Sequence, residues 1–103
     1  MDEKRLQNIR EMEEILNKIE QFTPQARQLL EQWEGLFSDI QKLSDYYHGE
    51  QWMADHEASS RGEIPKDMPH GVLSQDLAYD ALGDQYLLAV DFLKLITRVI
   101  SRE

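Results

Sequence analysis

The chain has 103 residues, 41% hydrophobic and 30% charged, enough apolar material for one domain with a core and too much for a disordered segment. Its 11 basic and 20 acidic residues give a net charge of −9, which argues against binding nucleic acid, where a basic stripe must neutralise phosphates, and against an anionic membrane surface. With no cysteine, disulfides, thiolate chemistry and cysteine-held zinc are excluded.

The N-terminal stretch MDEKRLQNIREMEE lacks an apolar run, so no signal peptide is expected. From there the apolar residues Leu6, Ile9, Met12, Leu16 and Ile19 step by three and four, with Ile15 and Phe22 beside them. This is one face of a helix. Thr23-Pro24 then reads as punctuation, because Thr is a good N-cap and Pro fits a first helical turn, where its missing N–H costs nothing. Helix 1 is therefore expected over about 3–22, with helix 2 beginning at once.

Helix 2 carries the stripe Ala26, Leu29, Trp33, Leu36, Ile40, Leu43 and Tyr47, widened by Leu30 and Phe37. It is expected to span about 24–48, with Gly49 as its stop and His48 near the negative end of the dipole. Residues 49–73 follow as a connection too long for an ordinary loop, so it must carry function or structure of its own. Within it, Glu50 to Ala58 suits a short helix with Trp52 and the Asp55-His56 pair on one side. Gly62, Pro65, Pro69 and Gly71 then force turns or extended backbone.

Helix 3 is expected over about 75–101, with Ser74 accepting the amide of Leu77 and Asp76 in the first turn. Its stripe is Tyr79, Leu82, Tyr86, Ala89, Leu93, Ile96 and Ile100, with Leu88, Phe92, Leu95 and Val99 alongside. Gly83 interrupts the pattern and marks a possible kink. The apolar arc is wider than one neighbour needs. Either helix 3 is the central helix or part of the arc is a homodimer interface. The pattern as a whole predicts an all-α single domain over 1–103. Its form is a three-helix antiparallel bundle with a long, partly helical loop between helices 2 and 3. The longest unbroken apolar run, Tyr86 to Val90, is far too short to span a bilayer, and the cytoplasm is the expected location.

The chemistry-bearing residues gather in WMADHEASSRGEIPKD, between Trp52 and Asp67. Asp55, His56 and Glu57, with His48 and His70, are the available metal ligands. On a helix, however, Asp55 and His56 point about 100° apart, and no metal motif with known spacing is present. No nucleophile motif and no phosphate loop is found, so no cofactor is expected. Trp52 and the Tyr46-Tyr47 pair are amphipathic side chains able to fold the loop back over the bundle. Asp55, Glu57, Asp67 or Asp80 can accept backbone N–H groups, or hold tyrosine hydroxyls or Arg61.

The run YYHGEQWMADHEASSRGEIPKDMPHGVLSQDLAYDAL resembles the core of a small bacterial family of unknown function, DUF4298. The residues that carry the resemblance are Tyr46, Tyr47, Trp52, Asp55, Glu57, Gly62, Pro65, Asp67, Gly71, Val72, Leu73, Ser74, Asp76, Tyr79 and Asp80. The chain departs from the family's pattern at Pro69-His70, where the family favours basic residues, and at Gln75, where it favours Glu. The resemblance implies that the loop is a family signature; it supplies no activity. The expected function is a small acidic protein-interaction or regulatory module using residues 46–76, with a protein as its partner. The alternative is a metal-dependent or carboxylate-based enzyme with a site around Asp55, Glu57 and Asp67.

Overall fold

The computed structural model describes residues 2–102. It is all-α, with helix α1 at Glu3–Tyr47, α2 at Glu50–Ser60 and α3 at Gln75–Ser101; a single 3-10 turn, Gly71–Leu73, precedes α3. No strand occurs among the described residues.

The expected break at Thr23-Pro24 is absent, and the two helices expected over 3–22 and 24–48 are one helix of 45 residues with Pro24 inside it. A proline in a helix interior removes one backbone bond and crowds the carbonyl four residues back, at a cost of about 3 kcal/mol. Both flanks are rich in Leu, Glu, Gln, Arg and Lys, with glycine only at Gly35, so helix propensity carries the chain through. Thr23 does not cap. Its hydroxyl donates to the carbonyl of Ile19 at 2.9 Å, the habit of a threonine within a helix.

α1 ends at Tyr47, where His48 turns back and donates from Nδ1 to the carbonyl of Ser44 at 2.7 Å. Space is tight at Gly49: a Cβ there would stand 3.1 Å from the carbonyl oxygen of Asp45. The short helix expected over 50–58 forms and runs two residues further. Its end is a Schellman turn: Gly62, in the left-handed region at φ 74°, donates to Ser59, and Glu63 donates to Ala58. The chain then turns at Pro65–Met68, closed by the Met68 amide on the Pro65 carbonyl at 3.1 Å.

α3 runs over the expected span and passes through Gly83 without a break. Ser74 stands at its N-cap in an extended conformation but makes no side-chain capping bond, so the expected acceptance of the Leu77 amide does not form. The helix closes with Arg102 in the left-handed region, its amide on the carbonyl of Arg98.

Two units are distinguishable, one up to Ser38 and one from Asp39 onward, with α1 belonging to both. In the second unit, Trp52, Leu73 and Ala78 are buried and form its core. Among the described residues of the first unit none is buried, and ten large apolar side chains between Ile9 and Phe37 are exposed. No helix of the described residues is long and apolar enough to cross a membrane.

Candidate functional site

The second unit is held by a cluster of aromatic side chains at the corner where α1 gives way to α2. Trp52 lies in the first turn of α2, one turn before His56, and this spacing stacks the two rings at 4.8 Å with 9° between their planes. Tyr47 meets the indole edge-on at 5.0 Å. Three donors from this corner reach the segment leading into α3. Trp52 Nε1 donates to the carbonyl of Val72 at 2.8 Å, His56 Nδ1 to that of Leu73 at 2.6 Å, and the Tyr47 hydroxyl to that of Gln75 at 3.1 Å.

The segment around the 3-10 turn has few partners of its own for its carbonyls. Half-buried carbonyls need partners as much as amides do, and Trp52 and His56 supply them for Val72 and Leu73, while the Tyr47 bond to Gln75 is exposed. A carbonyl oxygen only accepts, so His56 carries a proton on Nδ1. His70 is fixed in the same way by the carbonyl of Met68 at 2.8 Å.

A second lock joins the end of α1 to α2. The Tyr46 hydroxyl donates to Asp55 Oδ2 at 2.6 Å, and Gln51 Nε2 donates to Asp55 Oδ1 at 2.9 Å. The hydrogen bond to Asp55, with partial burial and the carboxylate's charge behind it, pushes the Tyr46 phenol up to about 12 from an ordinary 10.0. The folded value is the raised one. The lock's contribution is therefore complete below pH 10 and is lost as the pH climbs through about 12. In an alkaline spectrophotometric titration, Tyr46 is expected to ionise late, together with a fall in stability. Tyr46→Phe should abolish that late step and cost about 1.5–3 kcal/mol at neutral pH, the usual worth of a hydrogen bond to a charged group. A late step that persists in the variant would assign it elsewhere.

The other acidic candidates stand apart from this lock. Glu57, Asp67 and Asp80 are exposed. Arg61 pairs with Glu63, at 3.0 Å from Nε, rather than with any of them. That exposed pair holds the Glu63 carboxyl below its ordinary value. Among the described residues no three His, Asp or Glu side chains are grouped so as to hold a metal ion. His56 and Glu57 therefore part company: one stacks on the indole, the other faces solvent. A hollow of ≈ 570 Å³ lies beside the cluster, lined by His56, Lys66, Asp67, His70 and Ser74 among others.

Reading by residue type singled out Tyr46, Tyr47, Trp52 and Asp55, and the structure brings these four to one corner. It missed the stacking role of His56, the support from Gln51, and the buried positions of Leu73 and Ala78. The only signal for the first two was the i,i+4 spacing of Trp52 with His56 and of Gln51 with Asp55.

No curated protein and no solved structure matches the chain. Residues 9–95 match the model of a domain of unknown function, DUF4298. The match runs from the first turns of α1 through the aromatic corner and over most of α3, and the chain belongs to the DUF4298 family.

Proposed function

We propose that this chain is a helical protein-interaction module whose exposed apolar helix faces recognise a partner, while the aromatic corner holds α1, α2 and α3 in register. The observation that carries the reading is the bare stripe of the first unit. Ile9, Met12, Ile15, Leu16, Ile19 and Phe22 continue into Leu29, Leu30, Leu36 and Phe37, all exposed. Scattered apolar residues on a surface mean little, but a continuous patch of this size marks an interaction face.

Recognition is assigned to the helix faces rather than to residues 46–76, because Tyr46, Tyr47, Trp52 and His56 are already committed to bonds within the chain. The antiparallel bundle expected from the periodicity is, in this reading, the assembled form, completed by helices that the partner supplies. On α3, Leu93, Ile96 and Ile100 are exposed as well, a second face through which a homodimer would form. A cytoplasmic setting suits a cysteine-free acidic chain without a basic patch for nucleic acid or anionic lipid.

The test is capture from the native host's lysate with tagged wild type beside a Leu16→Glu, Leu30→Glu variant, both checked for an intact second unit by the near-ultraviolet signal of the aromatic corner. One specific protein, or the untagged chain itself, should be retained by the wild type and lost by the variant. Equal retention by both would remove the helix faces from recognition.

A further inference from the structure

We propose that the hollow beside the aromatic corner is a binding site for a small phosphate-bearing molecule. Lys66, the Nε2 atoms of His56 and His70, and the hydroxyls of Ser59 and Ser74 are the groups assigned to hold it. The site lies wholly within the second unit and does not depend on the exposed helix faces.

The lining sets the hollow apart from the rest of the chain. The sequence carries 20 acidic residues against 11 basic ones, yet among the described residues Asp67 is the one carboxylate that lines the hollow. Against it stand Lys66, His56 and His70. Lys66 is exposed and makes no ion pair among the described residues. Ser59 and Ser74 are half-buried, and neither hydroxyl makes a hydrogen bond among the described residues.

These groups reach the hollow from three parts of the fold. His56 and Ser59 are three residues apart on α2 and so share one of its faces. Lys66 and His70 come from the connection that follows, and Ser74 from the N-cap of α3. Polar groups converging from several directions suit a tetrahedral oxyanion better than a planar carboxylate.

Both imidazoles are anchored so that the same atom stays open. His56 gives Nδ1 to the Leu73 carbonyl at 2.6 Å and is stacked on Trp52, and His70 gives Nδ1 to the Met68 carbonyl at 2.8 Å. The ring nitrogen that each can still offer is Nε2. That atom accepts while the ring is neutral and donates once the ring takes a second proton. A phosphate monoester suits it in either state, because its last proton leaves at about pH 6, in the range where imidazole itself titrates. The two share one proton, carried by a phosphate oxygen or by the ring. A carboxylate is already ionised at neutral pH and brings no proton to share. A metal cation is the poorer occupant, since no three ligands are grouped among the described residues.

Size agrees with a small molecule. The volume of ≈ 570 Å³ falls within the range of about 300–1,000 Å³ usual for such sites. It exceeds what a lone tetrahedral anion fills, and Met68 and Leu73 add apolar lining for a small organic part.

The test is an NMR titration of the full chain at constant pH and ionic strength, following the histidine ring nitrogens. The probes are inorganic phosphate and glycerol 3-phosphate, with acetate as the control. Saturable shifts at Nε2 of both His56 and His70 are expected with the phosphates and not with acetate. Tighter binding of the ester identifies an organic phosphate as the ligand, and equal binding identifies phosphate itself; either supports the site. Lys66→Gln should weaken phosphate binding about threefold to tenfold, because it removes the fixed cation. Asp67→Asn should tighten it about threefold, because it removes the opposing carboxylate. Both positions are exposed, and the near-ultraviolet signal of the corner checks that the variants are folded. Shifts that never saturate, equal saturation by acetate, or an affinity that neither variant changes would overturn the site and leave the helix-face reading standing.

Discussion

Trp52→Ala is expected to unfold most of the second unit, at a cost of about 3–5 kcal/mol, the usual range for emptying a buried aromatic site. Trp52 is 5% exposed, and among the described residues only Leu73 and Ala78 are buried with it. The indole contributes in three ways at once. It fills the centre of a small core, it stacks on His56, and its Nε1 satisfies the carbonyl of Val72 at 2.8 Å. Its removal leaves a void and an unpartnered carbonyl on the same side of α2. Against a total stability of about 5–15 kcal/mol for a domain, that loss is a large fraction. Urea unfolding followed by far-ultraviolet circular dichroism checks it. Trp52→Phe separates the contributions, because the ring is kept and the donor lost, and about 1–3 kcal/mol should go with the stranded carbonyl. A Trp52→Ala cost under 1 kcal/mol would mean that the corner does not hold the unit together.

The aromatic corner was half legible in the sequence. Tyr46, Tyr47, Trp52 and Asp55 declare themselves by type, being large amphipathic rings and a carboxylate in a stretch too long for a plain loop. Their partners do not declare themselves. Val72, Leu73 and Gln75 take part through main-chain carbonyls, which every residue owns, so no side-chain pattern points to them. The carboxylates Glu57, Asp67 and Asp80 looked equivalent to Asp55 on paper. What separates them is place: Asp55 is one turn after Gln51 on α2 and within reach of Tyr46, whereas Glu57 on another side of α2, Asp67 in a turn and Asp80 on α3 face water.

The helices were legible to different degrees for a similar reason. α3 spans the expected residues, because Asp76 in the first turn favours its start and the apolar stripe resumes on the same face beyond Gly83. Periodicity also located the apolar faces of α1 and α3 correctly. It cannot say what covers a face, and the bundle expected from those stripes assumed that the chain covers its own. The residues from Ile9 to Phe37 are exposed, so the periodicity located an apolar face without saying what covers it.

Thr23-Pro24 is the one place where a local signal pointed to the wrong element boundary, and it yields a measurement with an opposite sign. Within a continuous helix, Pro24 withholds the N–H that would bond to the carbonyl of Glu20, and Thr23 spends its hydroxyl on Ile19. Pro24→Ala is then expected to stabilise α1 by about 3 kcal/mol, the difference between proline and alanine in a helix interior. Amide exchange over residues 19–28 should slow by about a hundredfold if it is governed by local opening. Thr23→Ala should be close to neutral, since the bond it loses is one that competes with the helix rather than capping it. A turn at the same place predicts the reverse. There, Pro24 at a first helical position fits without strain, and alanine would lose a few tenths of a kcal/mol of preorganisation. Thr23→Ala would then remove an N-cap and cost about 1 kcal/mol. The two variants together decide whether α1 is one helix or two.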